Sequence, residues 1–87
     1  MSNINKIQAA IREEGATSAF VTSITDIRWA CGFTGSNGLL VVTPDTAALI
    51  TDGRYITQSK EETEDVEIYI ASGPLVECVK NKKLLPD

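Results

Sequence analysis

The sequence predicts a single α/β domain in which a mixed β-sheet is flanked by helices. Three observations lead to this fold class. The apolar runs 38–43 and 47–51 enclose a short turn and therefore predict an antiparallel hairpin. A helix-like stretch, 54–64, separates strand 47–51 from the alternating run 66–71, and such a connection places two strands parallel in one sheet. The length of 87 residues agrees with one domain that has a modest core.

Before the hairpin, the sequence predicts a helix, a strand and a segment with two interpretations. Isoleucines at helical spacing predict a helix over 3–14, with Gly15 as its C-terminal stop. The run 18–23 is typical of a short buried strand. The segment 24–33 is ambiguous, because Asp26 could open a single helical turn within an otherwise irregular stretch.

After the first hairpin strand, turn-forming residues and an alternation of apolar and polar residues predict the remaining elements. Pro44 and Asp45 predict the hairpin turn, since proline presets φ and aspartate bonds its own backbone. In 66–71, apolar residues alternate with polar or small ones, which predicts a strand. Pro74 suits the first turn of a last helix over 74–83.

Composition excludes several classes of protein. The net charge of −4 does not indicate a nucleic-acid-binding protein, and no apolar run is long enough to span a membrane. The N-terminus lacks the apolar core of a signal peptide. Cys31 and Cys78 lie in apolar surroundings, which favours buried free thiols over a disulfide. Together these features predict a cytoplasmic protein.

The absence of histidine restricts the chemistry that this chain can perform. With 0 histidines, neither a Ser-His-Asp triad nor a zinc site with imidazole ligands can be built. The acidic run 61–67 lacks the residue order of a calcium-binding loop, so we interpret it as a solvated surface. We therefore predict no catalytic residue, no metal ligand and no cofactor in this chain.

The glycine-rich loop, residues 32–38 (GFTGSNG), does not match the known phosphate-binding or nucleophile motifs. It lacks the lysine of a Walker loop, has the wrong spacing for a dinucleotide fingerprint, and precedes a strand rather than a helix. The GxSxG pattern of a nucleophile elbow is also absent. We interpret it as a tight loop in which glycines allow positive φ and Phe33 folds inward.

Two motifs, WACGFTGSNG (29–38) and TDGRY (51–55), stand in order with a predicted hairpin between them. Together they resemble the N-terminal domain of the creatinase, prolidase and aminopeptidase P family, in the form closest to proline-specific peptidases. The resemblance covers most of the chain, because the first helix and strand also match in order. The motif residues are Gly32, Phe33, Gly35, Ser36, Gly38, Asp52, Gly53 and Tyr55.

The resemblance implies a ribonuclease H-like sheet domain over residues 1–87 that is incomplete at its C-terminus. In the family, a pita-bread catalytic domain follows and holds two divalent metal ions, commonly manganese. The N-terminal domain contributes to dimer contacts and closes over the substrate cleft. The resemblance therefore implies the non-catalytic N-terminal domain of a metal-dependent Xaa-Pro aminopeptidase or dipeptidase, whose substrate is a peptide with proline at the second position.

Arg54, within the second motif, is the candidate for the substrate cleft. The resemblance places this arginine toward the cleft, where its fork could bind a peptide carboxylate or carbonyl. The alternative is that Arg54 pairs only with Asp52 or Asp26 and fixes the turn. Asp52 is expected to cap the following helix, and Gly53 to meet a backbone requirement.

Two further questions stay open from the sequence. Trp29 and Phe33 are expected in the core, with the cleft or a subunit contact as the alternative. The domain itself could instead be a stand-alone binding module that retains the fold without catalysis.

Overall fold

Four strands form one mixed sheet. The computed structural model describes residues 2–81. In spatial order the strands are β1 (Ala19–Val21), β2 (Gly38–Val42), β3 (Ala47–Asp52) and β4 (Glu67–Ala71). The pairs β1–β2 and β2–β3 are antiparallel, whereas β3 and β4 are parallel. The predicted hairpin and the predicted parallel crossover are both confirmed.

Helices lie on both faces of this sheet. They are α1 (Ile4–Glu14), α2 (Ile24–Cys31), α3 (Ile56–Glu62) and α4 (Leu75–Asn81). A 3₁₀ turn, Gly53–Tyr55, leads from β3 into α3. None of the helices within residues 2–81 combines the length and the apolar character needed to cross a bilayer.

The core has two parts because successive strand residues point to opposite faces. On one face, α1 and α2 pack against side chains that include Leu40 and Leu49. On the other, α4 packs against side chains that include Val41 and Ile50. β2 and β3 are thus buried on both faces, which is why both strands are nearly continuous apolar runs.

Residues 24–31 of the ambiguous segment 24–33 form a complete helix, α2, which is longer than the single turn at Asp26 that the sequence suggested. The helix begins at Ile24 because the Ser23 hydroxyl accepts a hydrogen bond from the Asp26 amide (3.4 Å), as an N-cap does. Ser23 therefore belongs to the cap, and β1 is shorter than the predicted strand 18–23.

The helix predicted over 54–64 is divided and shorter. Its first residues form the 3₁₀ turn, and the α-helix ends at Glu62. Thr63 is extended, and both its amide (3.3 Å) and its hydroxyl (2.6 Å) donate to the backbone oxygen of Ser59. These bonds satisfy a carbonyl of the last turn and end the helix.

The other predicted helix and strand boundaries agree with the structure to within one residue, for the residues that the structure describes. The helix predicted over 3–14 begins at Ile4, and Gly15 ends it in the left-handed conformation with φ of 69°. The helix predicted over 74–83 begins at Leu75, and its last two predicted positions lie outside the described residues.

Both cysteines are free and buried, as predicted. The Cys31 thiol lies between α2 and the sheet and donates to the backbone oxygen of Ile27 (3.4 Å). Burial raises the pKa of Cys31, which keeps this thiol protonated and unreactive at neutral pH.

Candidate functional site

The glycine-rich loop and the turn 51–55 meet at one end of the hairpin. Gly38, the last loop residue, is paired with Thr51 near the end of β3. The buried Thr51 hydroxyl donates to the backbone oxygen of Asn37 (2.5 Å). The hairpin register thus brings together the two motifs that the sequence separates, and they form one candidate site.

Asp52 is the centre of this site. One carboxylate oxygen accepts the Arg54 amide (2.9 Å), which is the predicted capping bond. The other accepts the side-chain amide of Asn37 (2.8 Å), so Asp52 also fixes the loop. The hydrogen bond from the Arg54 side chain is the main reason that the pKa of Asp52 lies well below its usual range, and the hydrogen bond from the Asn37 side chain is the second. The carboxylate is therefore ionised at neutral pH.

Arg54 forms a bidentate ion pair with Asp52, not with Asp26. Its Nε and Nη2 atoms lie 3.0 and 2.9 Å from the two carboxylate oxygens. The guanidinium carbon also lies 5.0 Å from the centroid of the Tyr55 ring, within the range of a cation–π contact. The Arg54 side chain is nevertheless 66% exposed, so a fixed cationic fork faces the solvent.

Tyr55 connects this fork to the glycine-rich loop. Its hydroxyl oxygen accepts the Ser36 amide (3.2 Å) and shares a short hydrogen bond with the Ser36 hydroxyl. These bonds lower the pKa of Tyr55. The Tyr55 ring packs edge-on against the buried Phe33 ring, with 5.6 Å between centroids. Loop, ring and fork therefore form one ordered surface.

The loop glycines act mainly through close approach rather than positive φ. Gly32 alone in the loop has positive φ (93°), and a Cβ there would lie 2.7 Å from the Glu62 backbone oxygen. A Cβ at Gly35 would lie 2.2 Å from Phe33 Cζ, and one at Gly38 would lie 3.2 Å from the same ring. The prediction of a positive-φ turn is thus correct only at Gly32.

The structure shows no need for glycine at position 53, although the sequence suggested that the backbone there requires it. Its φ is not positive, and a Cβ there would meet no atom within 4 Å. A larger side chain is therefore compatible with this conformation of the chain.

A second contact, absent from the sequence predictions, ties the loop to α3. The Glu62 carboxylate accepts the Thr34 amide (2.9 Å) and the Thr34 hydroxyl (2.7 Å). Gln58 donates to the Thr34 hydroxyl oxygen (3.0 Å) and to the Glu62 carboxylate (3.2 Å). Glu62 belongs to the acidic run 61–67 and is exposed, as the interpretation of that run as a solvated surface predicts. Its bonds to Thr34 add a structural role that the sequence did not indicate.

We expect the free energy of unfolding to fall as the pH is lowered from about 5 to about 3, and Glu62→Gln to remove part of this dependence. The bonds from Thr34 lower the pKa of Glu62 in the folded chain. In this range the unfolded chain therefore binds more protons, so the stabilisation present above the unfolded-state pKa is lost as the pH falls.

Urea unfolding between pH 3 and pH 7 measures this effect. Glu61→Gln, which removes the same charge from the same helix, is the matched control and should leave the pH dependence closer to that of the wild type. If the free energy of unfolding depends on pH to the same extent in both variants, the Thr34–Glu62 contact does not contribute to that dependence.

Trp29 and Phe33 occupy different environments. Phe33 is 1% exposed and belongs to the core, as expected. Trp29 is 53% exposed on the outer side of α2, so its expected core position is wrong. Phe20 (52%) is also exposed and lines the same surface cavity as Trp29, and we call these two residues the β1-edge patch.

The described residues contain no cluster of side chains typical of a metal site. Within residues 2–81, no three side chains of the types that bind metals converge. The two ions that the resemblance implies therefore have no ligand set here, and no chemical step is assigned to them on this part of the chain.

Comparisons with known proteins agree with the two motifs and the fold. The Creatinase/Prolidase N-terminal domain family matches residues 3–85. An uncharacterized peptidase of Bacillus subtilis, YqhT, is 38% identical over 74 residues. That match spans 85% of this chain but only 21% of the peptidase, so the chain covers about a fifth of this relative.

Solved structures show the same relationship. The N-terminal domain of the cytoplasmic peptidase PepQ from Mycobacterium tuberculosis superposes with a TM-score of 0.74 at 36% identity, over 80% of this chain and 55% of that one. The Xaa-Pro dipeptidase of Bacillus anthracis gives 0.83 at 28% identity, over 94% of this chain and 23% of that one. The chain therefore belongs to the creatinase/prolidase N-terminal domain family.

Proposed function

We propose that this chain is the non-catalytic N-terminal domain of a metal-dependent Xaa-Pro aminopeptidase or dipeptidase. The family match over residues 3–85 carries this proposal, together with the coverage of only 21% of a peptidase relative. The name of the Bacillus anthracis structure, an Xaa-Pro dipeptidase, supports the substrate class. The two divalent, manganese-like ions would be held by a separate catalytic domain.

Within such an enzyme, the domain closes over the substrate cleft and presents Arg54 to the peptide. The fork supports this role, because its geometry is fixed by Asp52 and Tyr55 while its side chain stays 66% exposed. Free buried thiols and the word cytoplasmic in the name of the Mycobacterium tuberculosis relative support a cytoplasmic location.

The test compares the 87-residue chain with the polypeptide encoded by the full reading frame that contains it. We expect the longer polypeptide to cleave Ala-Pro-Ala in the presence of Mn²⁺ and the 87-residue chain alone to cleave none. Metal-dependent cleavage by the short chain would contradict the proposal. A reading frame without a catalytic domain would instead favour a stand-alone binding module.

We also propose that the domain contributes to a homodimer contact, and we therefore expect the isolated chain to self-associate. β1 and β4 each pair with one neighbour in the described sheet, which leaves one edge of each strand open. The β1-edge patch adds exposed aromatic surface at one of these edges, and such patches mark interaction sites.

Sedimentation at high micromolar concentration measures this association. Trp29→Ser should weaken it. Val76→Ser, which removes an apolar side chain from α4 that is even more exposed (60%, against 53% for Trp29), should have less effect if the β1 edge is the contact. A wild-type chain that sediments as a monomer would contradict the prediction.

A further inference from the structure

The Asp52–Arg54 pair leaves part of the arginine fork available. Asp52 occupies Nε and Nη2, and the Tyr55 ring lies 5.0 Å from the guanidinium carbon. Within residues 2–81, Nη1 has no hydrogen-bond partner. The guanidinium is therefore held by one edge and one face, and its outer end can donate to a ligand.

The charge of the pair restricts which ligand this outer end prefers. Asp52 is ionised and lies in contact with Arg54, so the two groups together carry no net charge. The hydrogen bond and the negative charge of Asp52 raise the pKa of Arg54, so the guanidinium stays charged. An approaching carboxylate is attracted by the guanidinium and repelled by Asp52, whereas a neutral carbonyl oxygen gains the hydrogen bond without that repulsion.

We propose that Asp52 is a positioning residue that holds Arg54 as a net-neutral donor for a peptide carbonyl oxygen rather than for a free carboxylate. The proposal rests on the proposed function and names its substrate class. In a peptide of three or more residues, the proline carbonyl group is part of a neutral peptide bond. In an Xaa-Pro dipeptide, the same group is the terminal carboxylate. The site therefore favours the longer peptides.

Neighbouring contacts support a fixed donor. Asn37 donates to the same Asp52 oxygen that accepts Arg54 Nη2, so the carboxylate cannot rotate without losing both bonds. Ser36 holds the Tyr55 hydroxyl, which fixes the ring beneath the guanidinium. Loss of Asp52 should therefore release Arg54 as well as expose its charge.

The test uses NMR of the Arg54 side-chain Nε–H group in the 87-residue chain, titrated with two matched probes. N-acetylproline carries a carboxylate, and N-acetylproline amide carries a neutral carbonyl on the same scaffold. In the wild type, we expect the amide to shift the Arg54 signal at least as strongly as the carboxylate does. In Asp52→Asn, which retains a capping side chain, we expect the carboxylate to bind roughly fivefold tighter than in the wild type.

Asp45→Asn is the matched control, because Asp45 also pairs with an arginine, Arg12 (3.6 Å), but at the opposite end of the hairpin. It should leave both titrations unchanged. The heteronuclear NOE of the Arg54 Nε–H group should fall in Asp52→Asn and not in the control. Asp52→Ser, a second uncharged cap, repeats the comparison if the asparagine variant does not fold.

Three results would overturn the inference. They are a wild-type chain that binds the carboxylate several-fold tighter than the amide, no response of Arg54 to the amide, or an Arg54 side chain equally mobile in the wild type and in Asp52→Asn. None of them depends on catalysis, so they are separate from failure of the proposed enzymatic function.

Discussion

Gly35→Ala is expected to lower the free energy of unfolding by about 2–3 kcal/mol. A Cβ at this position would lie 2.2 Å from Phe33 Cζ, far inside van der Waals contact. The Phe33 ring cannot withdraw easily, because it is buried and packs edge-on against Tyr55. For a chain of this size, the change corresponds to a fall in Tm of at least about 8 °C.

Thermal and urea unfolding of matched glycine variants test this expectation. Gly53→Ala is the control, since its Cβ would meet no atom within 4 Å and its φ is not positive. It should change stability by less than about 1 kcal/mol. If the two variants are equally stable, the close approach of the loop to the Phe33 ring is not a constraint.

A double-mutant cycle identifies the ring as the cause. Phe33→Leu removes the Cζ atom that the Gly35 Cβ would meet, so Gly35→Ala should be less destabilising in that background. Residues in contact typically show an interaction energy of about 0.5–3 kcal/mol in such a cycle. Additive effects would indicate that Gly35 is needed for another reason.

Local patterns in the sequence predict the sheet because β2 and β3 are buried on both faces. Their apolar runs, with a Pro-Asp turn between them, leave few alternatives to a hairpin. Helix α2 was harder to predict because it has only 8 residues and places Trp29 outside. A signal was nevertheless present, since Ser23 stands three residues before Asp26 in the arrangement of an N-cap.

The candidate site was predictable only in part, because its contacts are distant in sequence. The Asp52 cap is a local interaction and follows from residue type and position. The Thr34–Glu62 contact joins residues 28 apart, and no periodicity indicates such a pair. The motif resemblance grouped the loop with the turn, but only the register of Gly38 with Thr51 explains their proximity.

The second large effect concerns Arg54 and rests on the proposed function. In the full-length enzyme, Arg54→Ala is expected to lower kcat/KM about ten- to a hundredfold while the bound metal content stays unchanged. A hydrogen bond from a charged donor contributes about 1.5–3 kcal/mol, which corresponds to that range. Metal content should not change, because no metal-ligand set converges within residues 2–81.

Arg12→Ala is the matched control for this variant. Arg12 is also an exposed arginine paired with an aspartate (3.6 Å), but it lies at the hairpin turn, where its guanidinium also donates to the Pro44 backbone oxygen. Its loss should leave kcat/KM unchanged. Measuring kcat/KM together with Tm separates a substrate contact from a structural role for Arg54. If Arg54→Ala lowers Tm or dimerisation but leaves the rate per folded active site unaltered, then the ion pair with Asp52 serves only to fix the turn between β3 and α3.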